Sequence, residues 1–478
     1  MFTLAELGAW LPGARLLGDA STPVLRVHTD TRSLRAGDLF VALKGERFDA
    51  NAFLADAREQ GAVAAVAHAG LADAGLPGFE VPDTLAALGA IAAGWRGRFD
   101  LPLIAVTGSN GKTTVTQMIA SILQAATEGA ALATAGNFNN EIGLPLTLLG
   151  LRAHHRLAVV ELGMNHPGEI ARLAAIARPT VALVNNAQRE HQEFMASVEA
   201  VAVENAAVFD GLGADGTAVV PHGDAFSALW RERATATHPM RRCIDFGESS
   251  KADVSLIDAE WQGGAWRVHV ATPLGPLRCA LRIAGRHNVV NAMAAAACAL
   301  GAGVSIADIE RGLDGFRPVK GRSLASERET ANGRVITLVD DTYNANPDSV
   351  RAAIDVLAAL PGPRLLVLGD MGEVGDQGPQ FHAEVGAYAH ERGIECLFGF
   401  GSQAAHSVAA CAGAGAEHFP DAESLLSAVL AQLPATSSVL VKGSRFMRME
   451  RVVQAVEAAT QARDPLPSTP SQEPGHAA

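Results

Sequence analysis

The sequence predicts an α/β fold in three domains, and three observations lead there. Short apolar runs without alternation, Leu103–Val106, Leu157–Val160 and Val181–Val184 among them, are separated by helical stretches. That is the pattern of a parallel sheet buried on both faces, the doubly wound arrangement. The character of the chain changes at Thr84 and again across Phe316–Arg322, where Pro318 and Gly321 fall. The length, 478 residues, agrees with three domains at ~150 residues each.

Taken in order, residues 1–83 read as a small α/β domain. Val24–Val27, Asp38–Leu43 and Ala62–Ala67 are its strands, Asn51–Gln60 its helix, and Gly/Pro-marked Leu76–Phe79 a linker. Residues 84–315 form the central domain. A helix from Thr84 through Trp95 leads to the strand Leu103–Val106, a glycine-rich turn and a helix over Thr113–Ala126. Glu199–Phe209 follows as a helix and Ala218–Val220 as a strand; Trp266–Ala271 and Arg278–Ile283 pair as a hairpin around Pro273–Pro276. Residues 316–463 carry four more apolar strands, Val335–Val339, Arg364–Leu368, Cys396–Phe400 and Val439–Val441, and read as a Rossmann-like domain. Residues 464–478 hold four prolines and no large apolar cluster, the composition of a disordered tail.

Composition narrows the function. With 48% hydrophobic and 5% aromatic residues the core is large and mainly aliphatic, and disordered, collagen-like and disulfide-scaffold classes are excluded. The net charge of −13 argues against a nucleic-acid partner, while leaving room for a local pocket for a phosphorylated small molecule. Cys243, Cys279, Cys298, Cys396 and Cys411 are scattered, which fits reduced thiols in a cytoplasmic protein. The stretch Met1–Gly13 lacks the basic residues of a signal peptide. The alanine-rich run Val289–Ala307, interrupted by Gly301 and Gly303, reads as a buried helix and not a membrane span. No membrane partner is expected, and nothing demands an oligomer, so a monomer is expected.

The chemistry begins at Thr107-Gly108-Ser109-Asn110-Gly111-Lys112-Thr113-Thr114, between a strand and a helix. The glycines let backbone N–H groups turn toward a phosphate, and the helix start adds partial positive charge. Lys112 is placed to reach β/γ phosphates, and the Thr113 hydroxyl to hold Mg²⁺. Val106 stands where the usual G-x-x-x-x-G-K-[ST] spacing needs glycine, and Gly108 takes over part of that role. The loop indicates a nucleoside triphosphate such as ATP, without saying which reaction.

Glu161 directly follows the strand Leu157–Val160, at the carboxyl end where open α/β sheets bind ligands. A carboxylate there suits Mg²⁺ bridging ATP phosphates; a solvated loop Glu is the bland alternative. His191, beyond the strand ending at Val184, is a second metal-ligand candidate, although imidazole suits hard Mg²⁺ less well. Asp340 and Asp341 close the strand Val335–Val339, either to bind a ribose hydroxyl or to cap the following helix. Lys442, Ser444 and Arg445 after the last strand form a cluster able to grip a carboxylate or phosphate, or else an ordinary surface turn.

Around these residues the sequence resembles the Mur ligases, the ATP-dependent amide ligases of peptidoglycan synthesis. Thr107–Thr114 is similar to the family's TG[ST]NGKTT loop. The segments Gly136–Pro145 and Glu161–Ile170 are similar to its GNxNNxIGLP and E[ML]GMNHPGEI segments, and Gly285–Ala292 to its GxHNxxNA adenine-side motif. Asp340–Ser349 resembles the branch that adds D-alanyl-D-alanine; Leu368–Gly375 and Val441–Arg445 agree with it, and Asp30–Arg32 and Leu39–Gly45 resemble the uridine-nucleotide-binding part.

The resemblance implies roles. Gly108, Ser109, Asn110, Gly111, Lys112, Thr113 and Thr114 would hold ATP phosphates and Mg²⁺, with Glu161 and His191 as metal ligands. Asn288 and Asn291 would lie on the adenine side, Arg322 near the phosphates, and Asp341, Tyr343 and Asn346 around the nucleotide. Thr31, Arg32, Asn137, Asn139, Asn140, Lys442 and Ser444 would serve the substrates, UDP-MurNAc-tripeptide and D-alanyl-D-alanine. The γ-phosphate would activate the tripeptide carboxylate as an acyl phosphate for attack by the dipeptide amine. Other readings of the loop are a sister amide ligase, including the folylpolyglutamate type, or a P-loop regulatory ATPase. The chain departs from the pattern in places. Asn205 stands where many members carry a carbamylated lysine, and Glu204 beside it points about 100° away around the helix. Arg189-Glu190 precedes His191 where a small residue is usual, and Asp49-Ala50-Asn51 stands where Asp-Gly-His is common.

Overall fold

A computed structural model describes residues 1–45, 48–190, 192–411 and 415–463. His191 and the expected tail 464–478 lie outside the described residues. The chain forms two compact units. The first comprises Met1–Arg282 and His287–Arg317; the second comprises Ile283–Arg286 and the chain from Pro318 onward.

The first unit contains two large sheets. One has five strands in the order Arg15–Leu17, Gly78–Glu80, Ala64–Ala67, Asp38–Val41 and Arg26–His28, parallel except for the first pair. The second half of the expected linker Leu76–Phe79, Gly78 and Phe79, is therefore strand. Its glycine concealed it: Gly78 has φ +144°, and a Cβ there would lie 1.8 Å from the Ala65 carbonyl oxygen. Only glycine permits that approach of two backbones.

The other sheet has nine strands. Leu103–Thr107 is the third strand from one edge, between Leu157–Glu161 on one side and Val181–Val184 on the other, all parallel. Parallel pairing continues from Val181–Val184 through Thr217–Pro221 and Arg242–Gly247 to Val254–Gln262. There the sheet turns antiparallel into Ala265–Thr272 and Gly275–Leu281, the expected hairpin. Val254–Gln262 escapes a sequence reading because most of it is exposed and lacks an apolar run. The alanine-rich stretch forms the helix His287–Gly301, with twelve buried positions, followed by a second helix Ile306–Gly315.

The helix Thr84–Arg96 starts at Asp83, whose side chain accepts from the Leu85 and Ala86 amides. It buries Leu88, Ile91 and Ala92 completely. Trp95 packs edge-on against Phe2 at 5.8 Å between ring centres and donates its indole N–H to the Leu151 carbonyl at 3.2 Å. Phe2, Leu4, Leu7 and Leu11 thus share one core with the central helices.

The second unit is built on seven strands, in the order Ala416–Phe419, Cys396–Phe400, Arg364–Gly369, Ser438–Lys442, Val335–Asp341, Leu324–Thr330 and Thr460–Ala462. The first five pair in parallel, and Leu324–Thr330 pairs antiparallel with both of its neighbours. Apolar cores cover both faces, one around Ile354, Leu357 and Val385, the other around Val429, Val452 and Val456.

Candidate active site

Parallel register brings the carboxyl ends of three adjacent strands to one edge. Val106 stands opposite Glu161 on one neighbour and Leu183 on the other. From the middle one of these strands the chain runs to Ala131–Ala133 on one side, and from Leu157–Glu161 it crosses to Val181–Val184 on the other, a reversal of direction that opens a ligand crevice. At this edge sits the phosphate loop, followed by the 16-residue helix Lys112–Thr127.

Two glycines of the loop are required by geometry. Gly108 has φ +131°, and a Cβ would meet the Asn185 and Asn186 amide nitrogens at 3.0 Å. Gly111 has φ +81°, and a Cβ would lie 2.8 Å from Asn291 Oδ1. Both positions combine a conformation that favours glycine with a close neighbour.

The segment after Val184 clamps the loop. The Asn110 amide donates to Asn186 Oδ1 at 2.9 Å, and Asn110 Nδ2 donates to Gln188 Oε1 at 2.6 Å. The Gln188 amide donates to Ser109 Oγ at 2.8 Å. Asn185 Nδ2 bridges the Asn110 carbonyl at 2.9 Å and Asn291 Oδ1 at 3.1 Å, and Asn291 Nδ2 donates to Asn288 Oδ1 at 2.9 Å. A chain of amide side chains therefore ties the loop to Asn288 and Asn291, so the structure brings these expected residues together. Asn185, Asn186 and Gln188 were not anticipated. The rule that singled out Glu161, a polar residue just past a parallel strand's carboxyl end, applies equally to Asn185.

Lys112 Nζ donates to the Gly108 carbonyl at 2.5 Å and the Ser109 carbonyl at 2.9 Å. It also donates to Glu190 Oε2 at 3.1 Å. Thr113 is buried beside it. Glu161 is 2% exposed. Its Oε1 accepts from Asn139 Nδ2 at 2.7 Å, while Oε2 has no hydrogen-bond partner among the described residues. A buried carboxylate oxygen left over in this way is a hard donor that suits a magnesium ion. No group of three or more His, Cys, Asp or Glu side chains able to hold a metal occurs among the described residues. Thr113 and Glu161 thus fit an ion that takes its remaining ligands from phosphate and water.

Asn205, expected where many Mur ligases carry lysine, is fully buried and accepts from Thr107 Oγ1 at 2.6 Å. Glu204 accepts from the Gly168 and Ile170 amides at 2.8 and 2.9 Å. It therefore caps the helix Glu169–Ala177, and its side chain is committed away from the phosphate loop.

Other expected ligand residues already have structural partners. Asn139 supports Glu161, and Asn140 Oδ1 accepts from the Ile142 and Gly143 amides at 3.2 and 2.9 Å; Asn137 is exposed. Thr31 and Arg32 lie on the short turn Thr31–Ser33, and Arg32 is ion-paired with Asp30 at 2.6 Å. That guanidinium hydrogen bond holds the Asp30 carboxyl down at about 2.

In the second unit, Lys442 is buried, paired with Asp341 Oδ2 at 2.6 Å and donating to the Asn344 carbonyl at 2.9 Å. Asp341 Oδ1 accepts from the Ser323 amide at 2.9 Å, and Asp340 accepts from the Gly321 and Thr342 amides at 3.0 and 3.3 Å. The aspartates are thus struts between two loops. The helix Pro347–Ala358 is capped instead by Asn346, in a reciprocal box with Ser349. Ser444 Oγ accepts from the Gly372 amide at 2.7 Å and is buried, so the surface-turn alternative for this cluster does not hold for Lys442 and Ser444. Arg322 stacks on the Tyr343 ring at 3.9 Å.

A glycine-bearing loop at a helix start, a buried carboxylate on the adjacent strand and a parallel sheet define a P-loop nucleotide-binding α/β protein. Comparison with known proteins places it more narrowly. Residues 24–96 match the Mur ligase family catalytic domain, 106–299 the Mur ligase middle domain and 327–445 the Mur ligase glutamate ligase domain. The chain belongs to the Mur ligase family. It is 39% identical to the UDP-N-acetylmuramoyl-tripeptide–D-alanyl-D-alanine ligase of Escherichia coli K12, covering 95% of this chain and 98% of that protein. It is 37% identical to the Haemophilus influenzae protein of the same name, covering 93% and 96%. The crystal structure of MurF from Acinetobacter baumannii superposes with a TM-score of 0.86 at 34% identity, over 95% of this chain and 98% of that one. MurF from Thermotoga maritima, solved with ADP, gives 0.79 at 27% identity, over 93% and 99%.

Proposed function

We propose that this chain is an ATP-dependent ligase that joins D-alanyl-D-alanine to UDP-MurNAc-tripeptide, acting in the cytoplasm in peptidoglycan precursor synthesis. The observation that carries the reading is end-to-end similarity, 39% identity over 95% of the chain, to a ligase of that name. The phosphate loop and the leftover Glu161 oxygen at the same sheet edge are what such a reaction needs. No helix among the described residues is long and apolar enough to cross a membrane.

A carboxylate is a poor electrophile, so it must first be phosphorylated by ATP to an acyl phosphate. The amine of the dipeptide then attacks the acyl carbon, and phosphate leaves. The amides at the start of Lys112–Thr127 and the Lys112 ammonium bind the phosphates and offset the charge of the two anions that must meet. Thr113 and Glu161 would hold magnesium, which when bound neutralises phosphate charge. Asn139 fixes the Glu161 carboxylate by its hydrogen bond to Oε1. Asn288 and Asn291 are assigned to the adenine side. Arg322, Asp341, Tyr343 and Asn346 are assigned to nucleotide, and Thr31, Arg32, Asn137, Asn140, Lys442 and Ser444 to the substrates. By task the chain divides at 1–83 for the UDP substrate, 84–315 for ATP and 316–463 for the C-terminal domain.

The test is phosphate release from ATP and Mg²⁺ with UDP-MurNAc-tripeptide, with and without D-alanyl-D-alanine, with product mass read in parallel. Release that needs both substrates, with a product heavier by one condensed dipeptide, establishes the reaction. Release indifferent to the dipeptide, or a product carrying another amine, overturns it.

A further inference from the structure

The phosphate-loop lysine already has a carboxylate beside it. An ammonium has three hydrogens, and Lys112 has three acceptors: the carbonyls of Gly108 and Ser109 and Glu190 Oε2. The pair is largely withdrawn from water, with side-chain exposures of 15% for Lys112 and 7% for Glu190. Glu190 lies on the segment that clamps the loop through Asn185, Asn186 and Gln188, which fixes its backbone close to the lysine. A nucleotide phosphate reaching Lys112 would therefore meet an ammonium whose donors are all taken, next to a like-charged carboxylate.

We propose that Glu190 is a positioning residue that acts as a built-in counter-ion for Lys112, and that nucleotide phosphate must displace it. The inference rests on the assignment of Lys112 to the ATP phosphates. Without nucleotide, the carboxylate compensates a buried ammonium that would otherwise stand unpaired. With nucleotide, the same carboxylate opposes binding, so the chain gives up affinity for ATP in exchange for a loop that stays ordered when empty. A Glu190→Gln change keeps size and hydrogen-bonding ability but removes the competing charge.

The test titrates the full chain with β,γ-imido-ATP at limiting and at saturating Mg²⁺, for wild type, Glu190→Gln, Lys112→Met and the double variant. Thermal melting of each variant without nucleotide is recorded alongside, and Glu190→Ala serves as a second charge-removing variant. Glu190→Gln is expected to bind the nucleotide on the order of tenfold more tightly, equivalent to about 1.4 kcal/mol, while melting at a lower temperature when empty. In the Lys112→Met background the tightening should vanish, because the competition has lost its object. A residue with a purely structural role would lower the melting temperature without tightening binding, and unchanged or weaker affinity in both Glu190 variants overturns the proposal. Weakening that recovers with added Mg²⁺ also overturns it, by assigning the carboxylate to the metal. If Lys112→Met alone binds nucleotide as wild type does, the assignment of Lys112 itself fails, and that result is read from a separate variant.

Discussion

Replacing Gly111 with alanine isolates what the phosphate loop demands of its backbone. The residue sits at φ +81°, and a Cβ would press to 2.8 Å from Asn291 Oδ1 and 3.0 Å from Asn185 Nδ2. The left-handed conformation costs an L-residue roughly 1–2 kcal/mol. Pushing the amides apart also breaks the 3.1 Å bond from Asn185 to Asn291, a further loss of about 1 kcal/mol. Gly303 supplies the control: its φ is +80° and a Cβ there meets nothing within 4 Å. Gly303→Ala should therefore lose only the conformational part, and Gly111→Ala about 1 kcal/mol more. All five tryptophans, Trp10, Trp95, Trp230, Trp261 and Trp266, belong to the first unit, so urea unfolding followed by tryptophan fluorescence reports on that unit. Gly111→Ala should in addition weaken nucleotide binding, and Gly303→Ala should not. Equal stability losses in the two variants with unchanged nucleotide affinity would refute the argument that this glycine is kept for the close approach of the amide chain.

Lys112→Ala should lose nearly all phosphate release while tryptophan fluorescence still shows a folded first unit; an active variant sinks the assignment. Glu161→Gln retains the hydrogen bond from Asn139 but removes the charge on the leftover oxygen. It should lower turnover on the order of 10²-fold, as loss of a group stabilising transition-state charge does, and raise the Mg²⁺ concentration needed for half-maximal rate. An unchanged Mg²⁺ dependence would separate Glu161 from the metal. His382 is fully buried, accepts the Met371 amide at Nε2 and meets the Gly378 carbonyl at Nδ1, and burial pushes its pKa below the ordinary value. The unfolded chain therefore takes up this proton first. Stability of the second unit should be full above about pH 6.5 and fall as pH drops below it, until the buried imidazole is itself protonated. Both tyrosines, Tyr343 and Tyr388, lie in that unit, so tyrosine absorbance during unfolding follows it; a slope below pH 6.5 no steeper than that of His382→Gln would disprove the linkage.

Where a strand is apolar on both faces, its place in the chain is legible from residue order alone. Val181–Val184 and Cys396–Phe400 begin and end where the apolar runs do, because a strand buried between helix layers needs an uninterrupted run. The phosphate loop and Glu161 stand out as candidates in the same way, since glycine, lysine and a carboxylate at strand ends are chemical requirements written in single residues. What depends on partners distant in sequence appears only in the folded chain. Gly78 became strand because Ala65 lies against it, and half-exposed Leu324–Thr330 became strand because Val335–Asp341 and Thr460–Ala462 supply its ladder. Asp341 and Lys442, each readable alone as a ligand group, satisfy one another across 101 positions. The carboxylate beside Lys112 comes from 78 positions away, on a different loop. Residue type sets what a side chain is able to do, but a polar group bonds to whatever the fold brings within about 3 Å, and no local pattern specifies that neighbour.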